Sequence, residues 1–145
     1  MTRVVVPTWS MSNVLVDQAD SRGRLEIYLP TPLLLVARCG GHFSEGLADE
    51  WVRVVRPVLR KTQGMTMFNE WREMTGYDSA SRQKLTALTL GNKGAFKSIY
   101  FVTNSRIVAM GVNVASVPLA MMGVDFITCR TDEEFLRKLD ASRLR

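Results

Sequence analysis

Leu33-Leu34-Leu35-Val36-Ala37 is apolar at every position. A strand that meets water on one face alternates apolar with polar residues. This one does not alternate, so as a strand it is covered on both faces. Thr31-Pro32 precedes the run and Gly40-Gly41 ends it. Such a strand needs a layer of structure on each side of its sheet. Parallel strands joined by crossover helices supply that arrangement.

The rest of the chain fits this plan. Residues 12–16 and 24–29 predict two short strands, with Asp20-Ser21-Arg22-Gly23 as a hairpin turn. Ser44 predicts a helix N-cap, with Glu45, Asp49 and Glu50 placing negative charge in the first turns. Leu47, Trp51, Val54, Val55, Val58 and Leu59 follow at helical spacing, and Pro57 is expected to kink this helix. Residues 65–71 and 97–103 predict strands, and 79–90 and 106–117 predict helices. Asn104 or Ser105 caps the latter, and Pro118 bends or ends it. Residues 124–129 predict a last strand. Thr131 and Glu134 form a capping box for a terminal helix carrying Phe135, Leu136 and Leu139. The expected class is α/β, with a mixed β-sheet that combines parallel strands and crossover helices.

The 145 residues suit one domain, 1–145, with a short N-terminal extension (1–9) and a basic C-terminal tail (141–145). Cys39 and Cys129 each sit in an apolar run, so reduced, buried thiols and a cytoplasmic location are expected, the alternative being a single bridge between neighbouring strands. The start of the chain, with one early arginine and three valines before Pro7, does not have the form of a signal peptide. The longest uncharged stretch, Ile107–Gly123, has 17 residues and contains Asn113, Ser116 and Pro118; a bilayer span needs about 20. No transmembrane segment is expected. The net charge of +5 is too small to be a nucleic-acid signature.

Signals for catalysis are sparse. His42 is the single histidine, in Gly40-Gly41-His42-Phe43, and neither cysteine has a nearby partner in sequence. A metal centre or a Cys/His dyad needs several convergent groups. His42 therefore reads as a loop histidine, and no metal, cofactor or enzymatic activity is expected. Arg53, Arg56 and Arg60 lie on one side of the first helix, either as a solvated face or as a docking face for an acidic partner or an anionic headgroup. Methionines are frequent in and after the third helix, and methionine adapts to greasy ligands. A hydrophobic ligand held between that helix and the sheet would be lined by Met67, Met110 and Val114; the alternative is that these residues are plain core.

Gly76-Tyr77-Asp78-Ser79-Ala80-Ser81-Arg82 lies between the strand at 65–71 and the helix at 79–90. Asp78 is expected to cap that helix with its carboxylate, and Ser79 and Ser81 to fall in its first turn. The loop, the helix after it and the order of elements to residue 139 resemble the STAS family, named for sulfate transporters and anti-sigma-factor antagonists. There, an apolar strand leads to a loop reading roughly Asp-Ser-Ser-Gly, from which a helix starts. Counted from Asp78, the second serine position here is Ala80 and the glycine position is Ser81. The apolar segment Ser105–Val112 is similar to a divergent bacterial STAS/SEC14 branch.

The resemblance covers roughly residues 10–140. It implies a STAS-like fold and a non-catalytic signalling module that binds a protein partner, such as a regulatory kinase, through Gly76–Arg82 and the helix after it. It also implies Ser79 or Ser81 as the phosphoacceptor, since a loop serine is phosphorylated in that family. The STAS/SEC14 branch implies the alternative, a small lipid-binding or carrier domain of Sec14-like type. A homodimer is compatible with either.

Overall fold

The computed structural model describes residues 6–143. Residues 1–5 and 144–145, which belong to the expected extension and tail, lie outside the described residues. A hairpin opens the fold: β1 (Val14–Ala19) pairs antiparallel with β2 (Gly23–Thr31). The Asp20 carboxylate shapes its turn by accepting the N–H groups of Arg22 (2.8 Å) and Gly23 (2.9 Å). β2 pairs antiparallel with β3 (Leu34–Phe43).

From β3 onward every pairing is parallel. α1 (Glu45–Arg60) crosses to β4 (Met65–Trp71), which lies beside β3. β5 (Met74–Tyr77) follows and also pairs with β3, farther along the same strand. α2 (Ser79–Gly91) crosses to β6 (Phe96–Thr103), and α3 (Arg106–Met121) crosses to β7 (Asp125–Thr128). α4 (Asp132–Arg143) ends the described chain. The strand order is β1-β2-β3-β4-β6-β7, with β5 attached to β3.

The sheet is covered on both faces, as the LLLVA run requires. α1, α2 and α3 pack on one face, contributing Leu47, Trp51, Val55, Leu88, Val108 and Val112 to its core. Phe135 and Leu139 of α4 cover the other face. Val6 and the short 3-10 turn Thr8–Met11 lie on that second face too, with Val6 and Ser10 buried. Val6 and Ser10 are thus packed into the fold, while Thr8 between them is exposed. β4, at the centre, is buried at all seven positions.

Several expectations shift. Gly40-Gly41 does not end β3, which runs on to Phe43, and β5 lies within what the sequence presents as a loop. Pro57 and Pro118 both sit inside continuous helices. The capping box at the start of α4 forms with a shifted return arm: Glu134 N–H donates to Thr131 Oγ1 (3.1 Å), while the Glu134 carboxylate accepts from the Arg130 amide (3.1 Å). Cys39 and Cys129 are free and buried, in the cores of opposite faces. Burial pushes the Cys39 thiol up to about 12 and the Cys129 thiol up to about 11. No helix among the described residues is long and apolar enough to cross a membrane.

Candidate functional site

The segment at residues 76–82, from the end of β5 into α2, meets the end of β3 and the start of α1, and two glycines set this junction. Gly41 has φ +68, a left-handed conformation that a side chain makes costly. A Cβ there would lie 2.4 Å from the Arg22 carbonyl oxygen, and one at Gly23 would lie 2.3 Å from the His42 carbonyl oxygen. The β3–β5 register shifts between Gly41 and His42, as at a bulge. The half-buried His42 side chain reaches Asp78 beyond that shift, with Nε2 2.8 Å from Oδ1.

Asp78 is the N-cap residue of α2 but makes no side-chain cap to it. Its other carboxylate oxygen accepts the Glu45 amide at 3.0 Å, so Asp78 caps α1 instead. This corrects the expectation that it caps its own helix. The cause is geometric: parallel pairing of β5 with β3 sets both helix starts at the same end of the sheet. The His42 ring and then the Glu45 N–H hold the Asp78 carboxyl below its ordinary value of 3.8.

A second acid supports the same helix start. Ser44 Oγ donates to Asp20 Oδ2 (2.5 Å) and accepts the Leu47 amide (3.2 Å). The Ser44 hydroxyl, then the amides of Arg22 and Gly23, lower the Asp20 carboxyl from its ordinary value. The junction therefore joins residues from 20, 42–45 and 78. Neither His42 nor Asp20 stands out as a site residue in the sequence, because their partners lie 36 and 24 positions away.

The two candidate serines separate. Ser79 is exposed at the first position of α2. Ser81 is fully buried, and its hydroxyl donates to the Phe43 carbonyl at 3.0 Å. Ser81 is therefore a strut under the junction, out of reach of a kinase in this conformation. Arg82, one turn after Ser79, has no ion-pair partner among the described residues. Lys84 ties α2 to α1 through Glu45 (2.9 Å) and Asp49.

The arginine row is exposed along α1. Arg53 is held by Glu50 in the same helix, at 2.5 Å. The three residues suggested for a pocket do not line one together. Met67 is buried and borders a cavity of about 80 Å³ between α2, α3 and the sheet. Met110 and Val114 point outward from α3 and are exposed. The cavity is walled instead by Trp71, Tyr77, Leu88, Val112 and Phe126 with Met67. Gly111 lets α3 approach Tyr77: a Cβ at this position would lie 2.3 Å from the Tyr77 hydroxyl oxygen. Asn69 Oδ1 and Trp71 Nε1 belong to residues of the cavity wall, are buried, and have no hydrogen-bond partner among the described residues.

On the other face, Glu26, Arg38 and Glu70 are in register on β2, β3 and β4. Arg38 lies between the two acids, 3.9 Å from Glu26 and 3.3 Å from Glu70. Burial raises the Glu70 carboxyl, while the Arg72 amide and Arg38 oppose the shift. Burial and the Glu26 carboxylate push Tyr28 up to about 12. Among the described residues, no group of three or more His, Cys, Asp and Glu side chains could hold a metal ion.

The layout of sheet and helices has a counterpart among solved structures. An uncharacterized protein from the DUF3478 family with a SpoIIAA-like fold, from Shewanella loihica PV-4, superposes with a TM-score of 0.61. The match covers 84% of this chain and 98% of that one, at 13% sequence identity. The fold is SpoIIAA-like. At this identity the SpoIIAA-like match establishes topology, which agrees with the STAS-like fold implied by the sequence. No family model and no curated protein matches the chain.

Proposed function

We propose that this chain is a non-catalytic regulatory module that binds a protein partner through Gly76–Arg82 and α2, with Ser79 as the hydroxyl on which phosphorylation acts. The supporting observation is the contrast between the two serines: Ser79 is exposed at the start of a helix, while Ser81 is buried and bonded to Phe43. A phosphate on Ser79 would carry a charge of about −1.5 to −2 at a helix N-terminus, where anions are stabilised. Arg82 is free to pair with it. Asp78, already engaged by His42 and Glu45, is a neighbouring negative charge, so the modified loop would present a concentrated anionic patch.

The test is intact-protein and peptide mass spectrometry of the chain from its native host, combined with partner affinity for wild type, Ser79→Ala and Ser79→Glu. A phosphate on Ser79 and changed affinity in Ser79→Glu are expected. Equal binding by all three proteins would reject the reading.

A second reading, a hydrophobic-ligand domain, is favoured by the apolar cavity beneath α3. Its volume of about 80 Å³ is well below the ~300–1,000 Å³ of ordinary ligand pockets. It suits a short apolar molecule, and an acyl chain would fit only with α3 displaced. Binding would raise the melting temperature with ligand concentration. Short-chain alcohols are expected to stabilise the protein and long-chain phospholipids to do so less. No shift from either would leave the cavity as a packing defect.

A further inference from the structure

Six of the eight large hydrophobic side chains that the described residues expose belong to α3 or the residue after it. Ile107, Met110, Val114, Val117 and Met121 are each 60–82% exposed, and Met122 extends the patch. Their spacing is three, four, three and four residues, the repeat of one side of a helix that packs against another helix. The opposite side, Val108, Gly111, Val112 and Leu119, is buried on the sheet. α3 has no charged residue after Arg106, so nothing on the stripe resists desolvation.

We propose that the outer face of α3 is a self-association surface, on which two copies of this chain pack their α3 helices antiparallel about a twofold axis near Val114 and Val117. Three observations select a second copy as the occupant.

The first is area. Six side chains at this exposure offer roughly 700 Å² per copy, against about 800 Å² per partner in a standard stable interface. Monomers rarely leave an apolar patch of this size uncovered. The second is symmetry. A twofold interface presents the same patch from both sides. The stripe is apolar along its whole length, so reversing its direction sets Ile107 and Met110 against the Met121 end of the other copy with no polar mismatch. The third is charge. Arg106 at the start of α3 is exposed and borders the stripe, and the last turn of α3 carries no basic residue to offset the negative end of its dipole. Antiparallel packing brings each Arg106 to the negative end of the other copy's helix dipole. Parallel packing would instead set Arg106 beside Arg106.

Sedimentation equilibrium of the full chain over a concentration series tests this. Wild type is expected to dimerise, and Val114→Glu to raise the dissociation constant at least about a hundredfold by burying an unpaired charge from each copy. Val114 is exposed in the isolated fold, so helix content and melting of the monomer should not change. Arg106→Glu should weaken the dimer, because it sets a carboxylate against the negative end of the other copy's helix. A wild type that remains monomeric at millimolar concentration overturns the proposal. So does a dimer indifferent to Val114→Glu, or a monomer whose stripe binds phosphatidylcholine vesicles. A dimer broken by Val114→Glu but unaffected by Arg106→Glu overturns the antiparallel arrangement.

Discussion

α1 and α3 are built to the same outline. Each has 16 residues, each is capped by a serine bonded to the amide three positions on, and each contains a proline within its last four residues. Both cover the same face of the sheet. They differ in what they show outward. α1 presents Arg53, Arg56 and Arg60, whereas α3 presents Met110, Val114 and Val117. A helix needs only one apolar stripe to hold its place on a sheet. α1 stops there, and α3 carries a second stripe that the described fold does not use. An exposed charge needs no further explanation, whereas a long exposed apolar stripe does.

The sharpest way to break this comparison is to put the same change on matching faces. Val55→Asp, on the buried face of α1, places an unpaired carboxylate in the core and is expected to cost about 4 kcal/mol or more. Val117→Asp, on the outer face of α3, is expected to leave monomer stability within about 0.5 kcal/mol. Chemical denaturation of dilute protein measures both. Equal losses would mean that the outer stripe is covered within the monomer.

Acid should separate the two helix starts by a smaller amount. The start of α1 rests on Asp78 and, through Ser44, on Asp20, both with lowered carboxyl values. A lowered acid contributes stability above its unfolded value, near 3.8, and loses that contribution as pH falls through its native value. α3 starts on the uncharged Ser105. Below pH 3.8, protection of the Glu45 amide against hydrogen exchange should fall before that of Val108. In Asp78→Asn that acid-dependent loss should shrink. The order of loss is the observable that decides.

The smallest effect is expected on the charged face. Arg56→Glu with Arg60→Glu should change stability by no more than about 0.5 kcal/mol. A large loss would show that these arginines hold something the described contacts do not include.

The difference between α1 and α3 also explains what was legible in the sequence. The apolar residues of α1 recur against charged ones, so its buried side could be read directly. α3 is apolar nearly all round, and periodicity cannot choose between two greasy faces; the sequence reading turns Met110 and Val114 inward, and they lie outward. Gly111 was the available signal, since a glycine within a helix often marks close approach to a neighbour. The buried cysteines, the hairpin turn at Asp20 and the strand at 65–71 follow local rules and appear as expected. β5 was hidden because four residues around a glycine do not read as a strand without the partner that β3 provides. The role of Asp78 was hidden for a related reason. A capping residue identifies itself locally, and nothing local to Asp78 shows that it serves a helix that starts 33 residues earlier.

β3 holds β2 on one edge and both β4 and β5 on the other. On a ribosome the hairpin strands and β3 emerge well before residues 65–77. Throughout that interval the nascent chain presents the free edge of β3, with its apolar run Leu34–Ala37. Unpaired apolar edges recruit foreign strands. The hazard lies in the time needed to translate α1, and it ends only when the chain has doubled back and zipped two separate segments onto that edge.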